Sequence, residues 1–278
     1  MTFEVPKEVP EILSPICDFI FKLLFGGQKN KRILIDFLKS VLDIPDDEFE
    51  DLSFPNPIVN KEFSDGKLST LDVLVKTKSG QHINIEIQLK THEAFTDRIA
   101  AYNDLVFVQT IRAGQKYTGL KRTISIVIVD FDLFEGSEDY RHDFCWSELR
   151  TSLVLTKKQE IHTLELVKLP KNPDNAELCD WLTFLKANTK EEFDMIAQRN
   201  AVINEAYGEL RRISADEEAR LLYNRWLIDR FDEQQREFDA VHRNSVEIAR
   251  ASLVKNLPID LISDITNLPI SEIEALRI

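Results

Sequence analysis

Apolar and polar residues alternate strictly along residues 82–90, which read HINIEIQLK. A period of two residues is typical of a β-strand, whose successive side chains point to opposite faces. The polar positions share one face: His82, Asn84, Glu86, Gln88 and Lys90. A second strand is predicted over residues 70–77, and Ser79-Gly80 predicts a turn that pairs the two strands antiparallel.

Elsewhere in the first 170 residues, apolar residues recur at helical spacing or form continuous runs. Helices are predicted over residues 16–26, 30–43 and 93–113, because apolar residues recur there every three or four positions. The nearly continuous apolar run at 122–134 predicts a buried central strand, and residues 160–169 predict another strand. This order of helices and strands is typical of an α/β fold.

The pattern changes after residue 170, where strand signals stop. Residues 175–250 are charged and helical in pattern, and the tail predicts three short helices punctuated by Pro258 and Pro269. The sequence thus predicts two domains, 1–170 and a helical region at 171–278. Eight tail residues are expected to be mostly buried, against each other, the rest of the protein or a second chain: Ile248, Leu253, Leu257, Ile262, Ile265, Leu268, Ile273 and Leu276.

Composition narrows the class of protein. Hydrophobic residues make up 43% and charged residues 30% of the 278 residues, which is ordinary for a globular protein. No apolar run is long enough for a membrane span, and residues 1–15 lack the pattern of a signal peptide. The three cysteines have neither disulfide-framework nor zinc-site spacing. We therefore expect a cytoplasmic protein that does not bind membranes.

The charge argues against tight non-specific binding of nucleic acid, which usually needs a basic surface. The net charge is −13. Residues 1–170 carry 21 Lys and Arg against 27 Asp and Glu, and residues 171–278 carry 14 against 21, so neither part is basic. Divalent metal ions would offset part of a local acidic cluster.

The predicted hairpin brings two acids to one face. Asp72 on the first strand and Glu86 on the second lie close if the polar faces coincide, and two close carboxylates repel unless a proton or cation lies between them. Oxygen ligands of this kind suit Mg²⁺ or Mn²⁺, which activate water for attack on phosphodiesters. The alternative is an amphipathic strand whose polar face simply meets water.

The stretch LDVLVKTKSGQHINIEIQLK, residues 71–90, resembles the catalytic core of the PD-(D/E)XK nuclease superfamily, and in particular the Rpn-type recombination-promoting nuclease / putative transposase family. DFIFKLLFG at 18–26, FTDRIAAYND at 95–104 and the segments 114–134 and 160–169 resemble further parts of that family. The resemblance covers roughly residues 14–170, and the tail looks like the helical ending of many members. It implies a restriction-endonuclease-like α/β core, a mixed sheet flanked by helices, with an all-helical C-terminal region.

The resemblance also implies roles for individual residues. Asp72 and Glu86 would bind the metal, helped by the backbone carbonyl of Ile87. Gln88 stands where the superfamily has lysine, as is usual in the Rpn-type branch, while Leu71 replaces the motif's leading proline. Gln88 carries no charge, so it could orient the attacking water or hold Glu86. Lys90 could supply the missing positive charge, or it is a solvated lysine at the end of the strand.

Three further positions match the family and have structural alternatives. Asp18 could reach the metal from the first helix, or it complements the positive end of that helix. Arg98 and Tyr102 lie four residues apart on one helix face and could hold a phosphate or support the metal site, or they form a structural pair. His162, outside this set, is interpreted as a buried histidine whose hydrogen bonds are satisfied.

The resemblance implies a Mg²⁺- or Mn²⁺-dependent DNA endonuclease of low sequence specificity, linked to DNA recombination or to defence against mobile elements and phage. The alternative is a catalytically weak or inactive protein on the same fold that regulates or binds a partner. The helical tail could form a homodimer, occupy the active site or bind another protein. Metal binding at Asp72 and Glu86 distinguishes the two hypotheses.

Overall fold

The computed structural model describes residues 9–55, 73–91 and 94–277, which contain a five-stranded sheet and nine α-helices. The strands are β1 (Val73–Lys76), β2 (His82–Gln88), β3 (Thr123–Val129), β4 (Arg141–Ser147) and β5 (Val154–Glu165). The helices are α1 (Asp18–Phe25), α2 (Lys31–Val41), α3 (Phe95–Val108), α4 (Ala176–Lys186), α5 (Lys190–Ala197), α6 (Ala201–Ser214), α7 (Glu217–Val254), α8 (Ile259–Thr266) and α9 (Ile270–Ala275).

The sheet is mixed, with the strand order β1-β2-β3-β5-β4. Strands β2, β3 and β5 are parallel, while β1 and β4 are antiparallel edge strands. All seven residues of β3 are buried, which confirms the central strand predicted from the apolar run. The predicted hairpin is present between β1 and β2, where Gly80 adopts a φ of 89°. A mixed sheet flanked by helices confirms the expected α/β fold class.

Helix α3 joins the parallel strands β2 and β3 and covers one face of the sheet. Val106 of α3 packs against Leu74 of β1, while Phe95 and Ile99 pack against Val127 of β3. The register places Leu74 opposite Asn84 and Val127 opposite Glu86, so α3 covers the face that carries Glu86. Both faces of β2 are consequently buried.

The first two helices pack against the helical region that follows the sheet. Trp181 of α4 is fully buried, its ring centroid lying 5.9 Å from that of Phe25 and 6.0 Å from that of Phe37. Its Nε1–H donates to Asp36 of α2 at 3.0 Å. The buried side of α2 is the one that the helical spacing predicts: Ile33, Leu34, Phe37, Leu38 and Val41.

The chain divides into two compact units, one spanning Pro10–Arg220 and the other holding the residues from Leu221 onward. The helical region thus contributes α4, α5 and α6 to the unit that contains the sheet. The division into domains at residue 170 stays a prediction. No described helix has an apolar stretch long enough to cross a membrane.

In the second unit, α7 continues to Val254, so the first of the three predicted short tail helices is the end of a 38-residue helix. The cluster that holds α7, α8 and α9 together has Ala249, Ile262, Leu268 and Ile273 at its centre. Leu253, Leu257 and Leu276 pack around it. Ile248 and Ile265 are 39% and 54% exposed, so they are not buried within this chain, and their burial against a second chain stays a prediction.

Strand β4 was not predicted. Its sequence, RHDFCWS, lacks regular alternation, and its charged residues are held by partners on β5 and within β4 itself. The prolines of residues 54–63, FPNPIVNKEF, allow only an edge strand or the entry to a strand, and this segment lies mostly outside the described residues. The described bridge nearest to it pairs Ser53 with Lys76.

Candidate active site

Glu86 is a buried carboxylate in the middle of the sheet. It is 5% exposed, and Asn84, two residues before it on the same face, is 1% exposed. The alternative of a polar face that meets water is therefore wrong for this part of β2, because α3 covers it. Burial of a carboxylate is costly unless the charge is compensated by hydrogen bonds, a cation or a proton.

Asn84 provides one of these hydrogen bonds. Its Nδ2 donates to Oε1 of Glu86 at 3.0 Å. The Oδ1 atom of Asn84 is buried and makes no hydrogen bond to any described residue. The sequence places Asn84 on the polar face but contains no signal that it contacts Glu86. The contact depends on the side-chain rotamers that α3 and the sheet impose.

The other acid of the predicted pair, Asp72, lies outside the described residues. Strand β1 begins one residue later, and Val73 pairs with Ile85, the residue before Glu86. The antiparallel pairing thus brings the start of β1 level with the middle of β2. The placement of Asp72 beside Glu86 stays a prediction.

Gln88 is the last residue of β2, and its side chain is half-buried. It shares the face of Glu86, and its backbone carbonyl accepts from the N–H of Asp130 at 3.1 Å. Ile87 between them is 4% exposed, with its side chain on the opposite face. Lys90 is half-buried and lies two residues beyond the end of the strand, so it follows Gln88 without continuing the sheet.

Arg98 and Tyr102 lie on α3, the helix that covers Glu86. The guanidinium of Arg98 lies 5.9 Å from the ring centroid of Tyr102 and 5.5 Å from that of Phe95, which is the geometry of cation–π contacts. Tyr102 is 5% exposed. The structure therefore brings the predicted pair together on the helix above the sheet face.

Asp18 is the first residue of α1 and is exposed. Its carboxylate accepts a weak hydrogen bond from Sγ of Cys17 at 3.9 Å. This position complements the positive end of the helix dipole, as the structural alternative expects. Among the described residues, no group of three metal-ligating side chains brings Asp18 together with Glu86, so its reach to the metal stays a prediction.

A charged network that the sequence did not reveal lies on the opposite face of the sheet. His162 is buried and satisfied, as expected: Nδ1 lies 2.7 Å from Oδ1 of Asp143, and Nε2 lies 3.3 Å from Oε2 of Glu160. Arg122 binds Glu160 through two nitrogens, at 3.0 and 2.6 Å, and Arg141 binds Asp143 in the same way. Hydrogen bonding within the network accounts for this histidine, so it is no candidate ligand.

The donor set around Glu86 fits a hard divalent cation. The described oxygens are the Glu86 carboxylate and the unpartnered amide oxygen of Asn84, and Mg²⁺ and Mn²⁺ prefer oxygen ligands. Within residues 9–55, 73–91 and 94–277, no group of three His, Cys, Asp or Glu side chains could hold a metal ion. A complete site therefore needs a ligand from the rest of the chain or from the substrate.

Comparison with known proteins gives one family. Residues 15–237 match the family described as PD-(D/E)XK nuclease family transposase, a range that covers the whole described sheet and more than half of the helical region. No curated protein and no solved structure matches the chain.

Proposed function

The chain belongs to the PD-(D/E)XK nuclease family transposases, and from this premise we propose that it is a metal-dependent DNA endonuclease. Membership supports a nuclease-type function. The observation that carries the finer proposal is Glu86, a buried carboxylate on a central strand at the motif's second acidic position. A buried acid held by a hydrogen bond under a covering helix is typical of a functional site.

Asp72 and Glu86 would hold Mg²⁺ or Mn²⁺, together with the backbone carbonyl of Ile87. Such a cation supplies Lewis acidity to the phosphoryl oxygens and lowers the pKa of water. Glu86 then acts as a ligand held in a fixed orientation by β2. Helix α3 excludes bulk water from the buried part of this face, which strengthens electrostatic interactions there.

Gln88 would position the attacking water or the Glu86 carboxylate, because an amide both donates and accepts hydrogen bonds without titrating. Lys90 would place positive charge near the phosphate, where negative charge develops as the 3′ oxygen leaves. Arg98, held between Phe95 and Tyr102, would contact a phosphate or support the site from α3. Asp18 is the weakest of these assignments, since its exposed position at the start of α1 already has an electrostatic reason.

The substrate proposed is DNA of low sequence specificity, cut during recombination or in defence against mobile elements. A net charge of −13 opposes non-specific binding. Divalent cations at the acidic site would offset part of this repulsion locally. We place this activity in the cytoplasm and in the 1–170 domain, with the region from 171 onward as its helical companion.

A second candidate function is binding of a partner chain through the second unit. Its helices expose large apolar side chains: Ile228 (53%), Val241 (68%), Val254 (82%), Leu261 (44%), Ile265 (54%) and Ile270 (46%). Exposed apolar side chains in such number favour an interface. A homodimer through this region is compatible with the nuclease proposal, whereas partner binding without metal binding is the rival hypothesis.

Cleavage of supercoiled plasmid in Mg²⁺ or Mn²⁺ tests the proposal. The wild type should cleave only with metal, while Asp72→Asn and Glu86→Gln should be inactive, since each loses a charged ligand at nearly constant shape. The exposed Glu135→Gln is the matched control and should cleave normally. Equal cleavage by wild type and Glu86→Gln, purified identically, would identify the activity as a contaminant.

A further inference from the structure

Asn84 donates a hydrogen bond to the buried Glu86 carboxylate. The two side chains are 1% and 5% exposed, and the Nδ2–Oε1 distance is 3.0 Å. An ionised carboxylate only accepts hydrogen bonds, so the NH₂ group of Asn84 must face it. The orientation of the Asn84 amide is therefore determined by Glu86.

The amide of Asn84 makes no other hydrogen bond to a described residue. Its Oδ1 is buried without a hydrogen-bond partner among the described residues. Leu74 on β1 and Ser125 on β3 are its cross-strand neighbours, and neither side chain forms a hydrogen bond with the Asn84 amide. A buried acceptor without a partner destabilises the fold, and such local costs are typical of functional sites.

Asn103 of α3 provides the contrast. It is also buried, at 2% exposed, on the same side of the sheet. Its Nδ2 donates to Oγ of Ser125 at 3.0 Å and to the backbone oxygen of Glu160 at 3.1 Å, and its Oδ1 accepts from Gln159 at 3.4 Å. Asn103 therefore attaches α3 to the sheet, whereas the amide of Asn84 bonds only Glu86 among the described residues.

We propose that Asn84 is a positioning residue of the metal site, which fixes the Glu86 carboxylate through its Nδ2–H and thereby raises the affinity for the cation. The inference rests on the proposed function, because it requires that Glu86 bind metal. Hydrogen bonds to a ligating carboxylate orient it, and their loss typically lowers metal affinity 10–100-fold.

Calorimetric titration of the full chain with Mn²⁺ tests the proposal without any cleavage assay. Asn84→Ala should bind Mn²⁺ about 10–100-fold more weakly than wild type, while circular dichroism shows an unchanged fold. Asn103→Ala is the matched control. It should lower the melting temperature, because α3 loses its attachment, yet keep the wild-type Mn²⁺ affinity.

A second measurement uses the wild type and does not depend on the folding of a variant. With ¹⁵N-labelled asparagine, the side-chain amide signals of Asn84 should shift on saturation with Mg²⁺, and those of Asn103 should stay in place. Unmoved Asn84 signals at saturation would overturn the inference, as would an Asn84→Ala variant that binds Mn²⁺ as tightly as wild type. In either case the proposed function stands if Glu86→Gln abolishes binding. If Glu86→Gln binds Mn²⁺ like wild type, the proposed function fails, and this inference with it.

Discussion

Replacement of His162 by leucine tests the charged network on the sheet face opposite Glu86. The imidazole is buried between Asp143, at 2.7 Å, and Glu160, at 3.3 Å. Leucine has a similar volume but leaves both carboxylates without their shared partner. Removal of one member of a buried ion pair typically costs 3–5 kcal/mol.

The expected cost lies at the lower end of that range, about 3 kcal/mol, for two structural reasons. Arg122 still binds Glu160, and Arg141 still binds Asp143. The side chain of Asp143 is also 46% exposed, so water compensates part of its loss. For a unit that spans Pro10–Arg220, this free energy corresponds to a fall in melting temperature of about 6–12 °C.

The stabilisation that His162 provides should decrease as pH rises. Burial lowers the pKa of His162, but the hydrogen bonds and charges of Asp143 and Glu160 outweigh it, so the pKa lies above its ordinary value. Burial raises the pKa values of both carboxylates, but His162 and the arginines prevail and lower them. The histidine therefore stabilises the folded state fully below a pH of about 6.5, and this contribution is lost as pH rises through the folded pKa.

Melting curves of wild type and His162→Leu between pH 5 and pH 10 provide the assay. The difference in melting temperature should be largest between about pH 5 and 6.5, where all three groups are charged, and should shrink at alkaline pH. The double variant with Asp143→Asn and His162→Leu is the control, because it lacks the interaction between these two side chains. A difference that is constant across this range, or that grows with pH, would refute the reasoning.

Three further predictions concern the site, the core and the tail. If Gln88 orients the attacking water, Gln88→Ala should slow cleavage on the order of a hundredfold while Mn²⁺ affinity stays largely the same, and Gln88→Lys should retain or raise activity. Single-turnover kinetics and calorimetry provide the assay, and normal cleavage by the Ala variant would contradict this role. Trp181→Ala should destabilise the sheet-containing unit by about 3–5 kcal/mol in urea unfolding, and an unchanged midpoint would contradict its central packing. Deletion of residues 240–278 should expose apolar surface or change the mass in sedimentation; an unchanged mass and melting temperature would mean that the tail is a free appendage.

Much of the fold could be predicted because its elements carry local patterns. The nearly continuous apolar run of β3, five of whose seven residues are apolar, predicts a strand covered on both faces, and the spacing along α2 predicts its buried side. The alternation of β2 predicts a strand whose polar residues share a face. These signals are the side-chain periods of strands and helices, and they can be read from residues that are close in sequence.

The boundaries and edges could not be predicted in this way. Strand β4 depends on pairing with β5 and on charges held by partners up to 100 residues away, as in the bond from Arg141 to the oxygen of Val41. Packing between distant segments determines that α7 continues to Val254. It also determines that α4–α6 belong to the sheet-containing unit. A local pattern contains no information about which faces meet.

The sequence by itself determined that Glu86 and Gln88 lie on one strand face, and the motif around them indicated a nuclease-type family. Only the tertiary structure decided that this face is buried, since α3 could in principle have packed elsewhere. Burial then made Asn84 the partner of Glu86, and it enclosed His162 between two carboxylates on the other face. The physical reason is that an amino-acid pattern fixes the direction of a side chain, whereas its electrostatic environment depends on the segments that fold over it.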